Sequence, residues 1–422
     1  MTRKQWLARG AVVLAFSGAI AGCGDTKELL RPAPARDPIF TSYVALGNSI
    51  TAGLQSGGIN STTQNQSYAV LLAQKMGTPF SVPSLRLPGC PPPIDDILTG
   101  HRLGDGTGET CALRADVDGQ AVINNVAVPN ATSADPTDPL GAGANNALST
   151  LILGGRTQVQ RALEAHPTFA SIWIGNNDVL TAAVAGILTA LPDTSPGLTD
   201  VETFTTNYDD MLAALLPAGS AESGRFAPGV PRSGVLVGVV NVTAIPLFMP
   251  AVAILNPQVK AAAEAFTGKS LTVDASCTPT TKSLLSFRLL LEIKDGTRPT
   301  TIACSPVAGA SGRLGDIDVL DEGEIATITQ TVAAYNAAIE ARANGLGWAY
   351  ADPNPALAQL RQSGAIPLIP DLTNPAAPFG QYFSLDGVHP SADGQALLAD
   401  LIATAINAKY GTDLPTAASA AQ

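Results

Sequence analysis

The sequence predicts an α/β domain: a three-layer α/β/α sandwich on a five-stranded parallel sheet, enlarged by long loop insertions. Three observations predict it. Five short apolar segments are spread along the chain, several of them are continuous rather than alternating in hydrophobicity, and helical patterns lie between them. Continuous apolar strands indicate a sheet that is covered on both faces, and strands that alternate with helices indicate parallel pairing.

The elements follow from the spacing of apolar residues. The predicted strands lie near Tyr43–Leu46, Ile123–Val128, Phe169–Ile174, Val235–Val240 and Trp348–Ala351. The predicted helices are Tyr68–Met76, a segment marked by Val159, Ala162 and Leu163, then Val201–Leu215, Glu324–Asn344 and Ala392–Lys409. The helical pattern is strongest in the fourth of these, where apolar residues recur on one face.

Three stretches are too long to be simple connections between these elements. Residues 77–120, 180–232 and 245–320 are rich in proline, and two of them contain paired cysteines. We expect them to be insertions on one domain that spans residues 39–411, followed by a flexible tail over 412–422. A small subdomain formed by 245–320 is the alternative. The apolar run Ile245–Leu255 within it is interpreted as a buried packing element, or as the lining of a pocket or a lid.

Composition excludes several classes of protein. The chain has 422 residues, of which 45% are hydrophobic and 14% charged, and its net charge is −11. So high a hydrophobic fraction excludes a disordered chain, and the low charge argues against a long coiled coil. A nucleic-acid binder needs a basic face, which an acidic chain disfavours. The chain has three histidines, so any histidine chemistry must use His101, His166 or His389.

The first 22 residues have the pattern of an export signal. Arg3, Lys4 and Arg9 precede the apolar run Ala11–Ile20, which is too short for a permanent membrane span. The sequence Ile-Ala-Gly-Cys that ends at Cys23 resembles a bacterial lipobox, which implies removal of residues 1–22 and lipidation of Cys23. An ordinary secretory signal is the alternative.

The predicted mature protein is exported and held to the bacterial cell envelope by its N-terminal lipid. Losing the three basic residues of the signal takes the net charge from −11 to −14, so the protein surface itself is not expected to bind anionic lipid. Residues 23–38 are predicted to be an extended tether. A glycine rather than an aspartate follows Cys23, which favours the outer membrane by resemblance to lipoprotein sorting rules.

The other four cysteines form two local pairs in the sequence. Cys90 and Cys111 are 21 residues apart, and Cys277 and Cys304 are 27 residues apart. Neither pair has zinc-site spacing, and an exported protein meets oxidising conditions. We therefore expect the disulfides Cys90–Cys111 and Cys277–Cys304, although four cysteines allow three connectivities. Each would stabilise the fold by roughly 3 kcal/mol in the chain-entropy model.

Three short motifs carry polar groups suited to catalysis. A Gly-Asn-Ser run that contains Ser49 follows the first predicted strand, and a strand-to-helix turn exposes such a serine. A Gly-Asn-Asn-Asp run that contains Asn177 follows the third strand. Asp386 and His389 precede the last helix at a spacing that lets the carboxylate orient the imidazole ring. Open α/β sheets place their sites at the carboxyl ends of strands, where all three motifs lie.

Together these motifs resemble those of the SGNH (GDSL-type) serine hydrolases. The resemblance runs from Tyr43 to about Tyr410 and implies a flavodoxin-like fold. It places Ser49 at the nucleophile, and Asp386 and His389 at the rest of a catalytic triad. Asn177 matches the asparagine of the oxyanion hole, which would also include the Ser49 backbone N–H. The insertions match no motif of the family.

The chain departs from the family pattern at two positions. Asn48 stands where the family usually has the aspartate that precedes the serine. The segment Asn125–Thr132 is similar to the second family motif, but Asn130 stands at its glycine, whose backbone N–H joins the oxyanion hole. Asparagine tolerates a left-handed backbone better than most residues, so this N–H remains a candidate donor.

The resemblance implies a serine esterase that forms an acyl-enzyme and needs no metal or organic cofactor. The substrate would be a small-molecule, lipid or glycan ester, with no nucleic-acid partner. Two alternatives are a carbohydrate O-acetyl esterase and a lipase or phospholipase of the same fold. A third is a surface-binding lipoprotein with weak catalysis. His101 and His166 are interpreted as structural or solvent-exposed. The sequence leaves the oligomeric state open.

Overall fold

Four parallel strands form the central sheet of the computed structural model, which describes residues 37–111, 122–138, 147–186, 188, 197–216, 229–305 and 318–417. The described strands are β1 Tyr43–Gly47, β2 Ile94–Asp96, β3 His101–Arg102, β4 Phe169–Trp173, β5 Ser233–Val237, β6 Phe248–Pro250, β7 Thr272–Val273, β8 Leu284–Ser286, β9 Thr301–Ile302, β10 Val319–Leu320 and β11 Ala349–Ala351. The central sheet has the order β1-β4-β5-β11, with every neighbour parallel. The carboxyl ends of these strands therefore share one edge.

The α-helices surround and extend this sheet. They are α1 Ser49–Ala52, α2 Ser61–Asn65, α3 Tyr68–Met76, α4 Ala147–Leu153, α5 Gln158–Leu163, α6 Asn177–Ala185, α7 Val201–Leu215, α8 Pro257–Thr267, α9 Arg288–Asp295, α10 Glu322–Leu346, α11 Asn354–Gln362 and α12 Ala392–Tyr410. All five predicted helices are confirmed, with α3 and α7 at the predicted bounds. Local capping fixes several ends: the Ser67 hydroxyl accepts from the backbone of α3, and Asp321 forms a capping box with Glu324 at α10.

The prediction of five strands is wrong at the second segment. Residues 123–128 run beside β1 but form only one isolated parallel bridge, between Ala45 and Asn125. The cause is local competition for the backbone. The Asn124 side chain bonds to the Ser81 N–H and the Tyr43 carbonyl, and the Asn125 side chain bonds to the Thr51 carbonyl. The segment stays at the predicted edge of the sheet without forming a regular strand.

Both faces of the sheet are buried under helices. Successive residues of each strand belong to two different cores, as the pleat requires. One core contains Tyr43, Ala45 and Val235 with residues of α3 and α12. The other contains Val44, Leu236 and residues of α5, α7 and α10. Two-sided burial explains why the predicted strands are continuously apolar rather than alternating.

The stretch 245–320 builds a small structure of its own. The strands β10, β8 and β6 form an antiparallel sheet in that order, and α8 and α9 pack beside it. The apolar run predicted in this stretch supplies β6 and buried residues of the core, among them Leu247 and Met249. Arg298 forms a buried ion pair with Asp318 at the end of the described part of this stretch.

Both predicted disulfides are confirmed. Cys90 is bonded to Cys111, and Cys277 is bonded to Cys304. The first closes the loop that contains β2 and β3, and the second joins the segments that follow β7 and β9. Within the described ranges, the structure contains no helix with the length and apolar character that crossing a membrane requires. The predicted signal, lipidation site and tether begin before residue 37, and Cys23 lies outside the described residues.

Candidate active site

Ser49 is the first residue of α1, directly after the carboxyl end of β1. The chain turns sharply here, and Gly47 is required for the turn because a Cβ at this position would lie 2.6 Å from the Trp173 carbonyl oxygen. Asn48 caps the helix, since its side-chain oxygen accepts from the Ile50 N–H at 3.1 Å. The amide at position 48 therefore makes the capping bond that a carboxylate would make. Ser49 is 7% exposed.

His389 lies against Ser49, although the two are 340 residues apart. The His389 Nε2 atom is 2.8 Å from the Ser49 Oγ, and its Nδ1 atom is 2.8 Å from the Asp386 Oδ2. Both the histidine and the aspartate lie in the loop before α12, whose first turn is capped by Ser391. The structure thus brings together the three residues predicted to form the triad, in a continuous chain of hydrogen bonds.

Asp386 is held by several donors besides the imidazole ring. Its Oδ1 accepts the backbone N–H groups of Val388 and His389 at 2.9 and 2.8 Å, and its Oδ2 accepts the Gly57 N–H at 2.6 Å. Burial raises the pKa of this carboxyl, but the charge of His389 and the hydrogen bonds from His389 and Val388 outweigh it and lower the pKa to about 2. Asp386 is therefore an anion across the neutral range.

A tight turn at residues 55–58 holds the Asp386 loop. Besides the Gly57 bond to Asp386, the Ser56 N–H donates to the Ser384 Oγ at 2.8 Å, and the Leu385 N–H donates to the Ser56 Oγ at 3.2 Å. Arg102, from β3 in the loop closed by the first disulfide, donates to the Gly57 carbonyl at 2.9 Å. The sequence motifs gave no signal for this turn or for Arg102.

Gln395 joins the helix after His389 to the helix of Ser49. It is fully buried, its Nε2 donates to the Ile50 carbonyl at 3.1 Å, and its Oε1 accepts the Tyr68 N–H at 2.8 Å. One side chain thus connects α12, α1 and α3. A sequence signal for it exists: Gln395 lies at helical spacing from Ala399 and Ile402, on the buried face of α12.

Asn177 and Asp178 attach the start of α6 to the segment that follows Asn130. The Asn177 Nδ2 donates to the Ala131 carbonyl at 2.8 Å, and Asp178 accepts from the backbone and hydroxyl of Ser133 at 2.9 and 2.7 Å. An amide nitrogen carries two hydrogens, so the bond to Ala131 leaves Asn177 one further donor. Two of the three predicted oxyanion-hole residues, Asn130 and Asn177, therefore lie on adjoining segments.

Asn130 has a backbone conformation that normally favours glycine. Its φ is +69°, in the left-handed region, and its side chain is exposed. Asparagine is one of the few residues that adopt this conformation at small cost. The Val128 N–H donates to the Gly47 carbonyl at 3.1 Å. This bond joins the segment before Asn130 to the end of β1, two residues before Ser49.

The other two histidines lie apart from these residues. His101 is exposed between Asp95 and Asp105, and hydrogen bonds from its ring to Asp105 and Asp95 raise its pKa. His166 is exposed at the opposite end of the sheet, just before β4. Within the described ranges, no group of three or more histidine, cysteine, aspartate or glutamate side chains is arranged to hold a metal ion.

The chain matches the model of a known family. The model of the GDSL-like lipase/acylhydrolase family covers residues 43–402, from the first strand to the last helix. The chain belongs to this family. It is therefore an ester hydrolase of the esterase and lipase type. No curated protein sequence matches this hydrolase.

Solved structures of esterases and lipases are similar to this family member only at low identity. A catalytic mutant of an acetylxylan esterase from Geobacillus stearothermophilus is 12% identical, with 88% of this chain and 94% of that chain covered and a TM-score of 0.37. The extracellular lipase of Streptomyces rimosus is 16% identical, with 86% and 99% covered and a TM-score of 0.35. A putative GDSL-like lipase from Parabacteroides merdae is 12% identical, with 86% and 94% covered and a TM-score of 0.35.

Proposed function

We propose that this hydrolase cleaves carboxylic esters through a covalent acyl-enzyme on Ser49, with His389 as the base and Asp386 as the residue that orients it. The single observation that carries the proposal is the hydrogen-bonded chain from the Ser49 Oγ through both nitrogens of His389 to the Asp386 carboxylate, with both contacts at 2.8 Å. This is the arrangement that activates a serine hydroxyl for attack on a carbonyl carbon.

The reaction proceeds in two halves. The His389 Nε2 takes the Ser49 proton while the Oγ forms a bond to the ester carbonyl carbon, and the imidazolium then protonates the departing alcohol oxygen as its bond to carbon breaks. Water next attacks the acyl-enzyme, gives its proton to His389, and releases the carboxylic acid as Ser49 recovers its proton. Asp386 stays ionised throughout because its pKa is about 2, and it stabilises the imidazolium.

The negative charge that develops on the carbonyl oxygen needs donors fixed in advance. We assign this role to the backbone N–H groups of Ser49 and Asn130 and to the second hydrogen of the Asn177 amide. The hydrogen bonds from Asn177 to Ala131 and from Ser133 to Asp178 support it, because they fix the two segments to each other before substrate binds.

Replacement of Ser49 tests the proposal directly. We expect Ser49→Ala to abolish hydrolysis of p-nitrophenyl acetate and to keep the thermal unfolding temperature of the native protein. An organophosphonate probe is expected to label the native protein at Ser49, located by peptide mass spectrometry. Ser363→Ala, which changes an exposed serine on the surface, is the matched control and keeps full activity. Full activity of Ser49→Ala, or labelling at another serine, would overturn the assignment.

The cellular form and the finer architecture are part of the same proposal. We propose a three-layer α/β/α sandwich as the architecture, which the two cores on opposite faces of the sheet support. We also propose an exported protein anchored by a lipid on Cys23. The two disulfides support export, since such bonds persist in oxidising compartments. Cys23→Ser is expected to move the protein from the membrane fraction to the soluble fraction; unchanged membrane association would refute the anchor.

A further inference from the structure

The turn between Asp386 and His389 is in contact with the stretch 245–320, which carries none of the sequence motifs. At the tip of this turn, the Gly387 carbonyl accepts the Leu247 N–H at 2.9 Å. Leu247 directly precedes β6, so this bond joins the small antiparallel sheet to the proposed catalytic loop. Gly387 and Leu247 are both buried, and a hydrogen bond in such a place is stronger than one in contact with water.

A phenylalanine ring packs against the same tip. Gly387 has a φ of +68°, and a Cβ built on it would lie 3.1 Å from both the Cε1 and the Cζ atoms of the Phe379 ring. The ring therefore leaves no room for a side chain at this position. Phe379 is fully buried, so the turn cannot shift towards it without displacing a closely packed side chain.

Phe379 is held in its turn by Phe287, which directly follows β8. The two ring centroids are 5.3 Å apart at an interplanar angle of 89°, the T-shaped arrangement that aromatic pairs favour. The Phe287 N–H also donates to the Leu247 carbonyl at 2.8 Å. Phe287 thus reaches Gly387 by two routes, through the Phe379 ring and through the Leu247 backbone.

The shape of this turn decides how the two proposed triad members in it are oriented. The Gly387 N–H donates to the Ser384 carbonyl at 3.0 Å, and the Ser384 N–H donates to the His389 carbonyl at 2.9 Å. A rotation of the tip therefore moves the Asp386 carboxylate and the His389 ring together. Ser49 stays behind, because it lies on α1, and a small misplacement between reacting groups costs much of the rate.

We propose that Phe379 and Phe287 are positioning residues for catalysis, which hold the turn at Gly387 in the orientation that the proposed triad needs. The stretch 245–320 then has a role in the reaction, although its side chains do not touch the reacting atoms. This inference rests on the proposed function, because the turn affects the rate only if His389 is the base for Ser49.

Two substitutions test the inference. Phe379→Leu and Phe287→Leu each keep a buried apolar side chain and remove part of the ring contact that supports the turn. kcat and KM for p-nitrophenyl acetate are measured below the unfolding temperature of each variant. We expect each substitution to lower kcat on the order of tenfold with KM within about twofold of native, because the base is misplaced while no proposed substrate-contacting residue is changed.

Phe40→Leu is the matched control. Phe40 is fully buried and forms the same kind of T-shaped contact with Phe169, with the centroids 5.1 Å apart at 69°. This pair lies at the start of β1 and β4, at the opposite edge of the sheet from Ser49. The control is expected to lower the unfolding temperature as the two test substitutions do, and to keep the native kcat.

A compensating pair gives a readout that lost stability does not imitate. Gly387→Ala places a methyl group against the Phe379 ring and is expected to lower kcat by itself. Leucine lacks the two ring atoms that this methyl group meets. In the double variant with Phe379→Leu, we therefore expect the loss of kcat to be smaller than the product of the two single losses, as for residues in direct contact.

Three results would overturn the inference. They are native kcat in both Phe379→Leu and Phe287→Leu, an equal loss of kcat in Phe40→Leu, and single losses that simply multiply in the double variant. Each of these leaves the proposed function in place as long as hydrolysis depends on Ser49. Hydrolysis that survives Ser49→Ala would instead overturn the proposed function.

Discussion

The Gly57 N–H donates to the same Asp386 oxygen that faces the His389 ring, at 2.6 Å from the Oδ2. A backbone amide is a donor that cannot rotate away, so it fixes the carboxylate in the plane that the imidazole needs. This amide belongs to a tight turn in which both Ser56 and Gly57 have positive φ. The turn closes on itself through backbone hydrogen bonds between Gln55 and Gly58, and Arg102 contacts it from the neighbouring loop.

Arg102 is predicted to be a positioning residue for catalysis. It donates to the Gly57 carbonyl at 2.9 Å and to the Pro92 carbonyl at 2.6 Å, and so joins the turn to the disulfide-closed loop. Arg102→Met keeps the aliphatic stem and removes these donors. We expect kcat to fall on the order of tenfold, with KM nearly unchanged, because the aspartate loses its fixed orientation while no proposed substrate-contacting residue is changed.

Partial recovery of kcat by Arg102→Lys would identify the cationic donor as the cause. Arg342→Met is the control, since Arg342 forms its ion pair with Asp209 on the surface, away from the site. A rise in KM with constant kcat, or the same loss in both arginine variants, would contradict the positioning role.

Asn177 is predicted to act on the rate rather than on binding. Removing one donor from an oxyanion hole typically costs 10²–10³ in kcat, so Asn177→Ala is expected to lower kcat by about a hundredfold or more. The bond to the Ala131 carbonyl is lost as well, and steady-state kinetics are therefore measured together with the unfolding temperature. A change confined to KM would show that Asn177 only binds substrate.

Much of the fold and the three residues of the proposed triad could be predicted because their signals are local. Continuous apolar segments predict four strands correctly. Short sequence motifs predict Ser49, Asp386 and His389 as one group, and these residues are in contact in the structure. The prediction of the second strand was wrong because the side chains of Asn124 and Asn125 bond to the backbone of other segments, and a count of apolar residues does not detect such bonds.

The residues that hold Asp386 in place, Arg102 and Gly57, could not be predicted from the sequence, for a different reason. Arg102 and Gly57 are 45 residues apart, and Gly57 and Asp386 are 329 apart, within loops that have no periodic pattern. Their contacts depend on how the disulfide-closed loop folds over the turn, which is a tertiary effect. Gln395 is different, because its helical spacing from Ala399 and Ile402 on the buried face of α12 is a signal that the sequence does contain.

Gln395 is predicted to stabilise the fold by connecting three helices. Gln395→Ala leaves the buried Tyr68 N–H without its partner, while the Ile50 carbonyl keeps the Gly53 N–H as a donor. A buried donor without a partner costs about 1–3 kcal/mol, and we expect the free energy of unfolding in urea to fall by about that amount. Gln359→Ala, an exposed glutamine on α11, is expected to change it by less than about 0.5 kcal/mol. Equal effects of the two substitutions would refute the role of Gln395.

Asp178 is predicted to make stability fall as pH rises through the mildly acidic range. Burial raises its pKa from 3.8 to about 6, against the lowering effect of the bonds from Ser133. Between these two values the folded protein binds more protons at this group than the unfolded chain does, so its contribution is fully present below 3.8 and is lost as pH rises through about 6.

The measurement is the free energy of unfolding in urea at several pH values between 3.5 and 7, compared between the native protein and Asp178→Asn. The asparagine does not titrate. The difference in free energy of unfolding between the two proteins is therefore expected to change between pH 3.8 and about 6, and to level off towards pH 7. Asp386 titrates near pH 2 in the folded state and has lost its own contribution only well below the window. A difference that stays constant from pH 3.5 to 7 would show that the Asp178 carboxyl has an ordinary pKa, and that the bonds to Ser133 compensate fully for its burial.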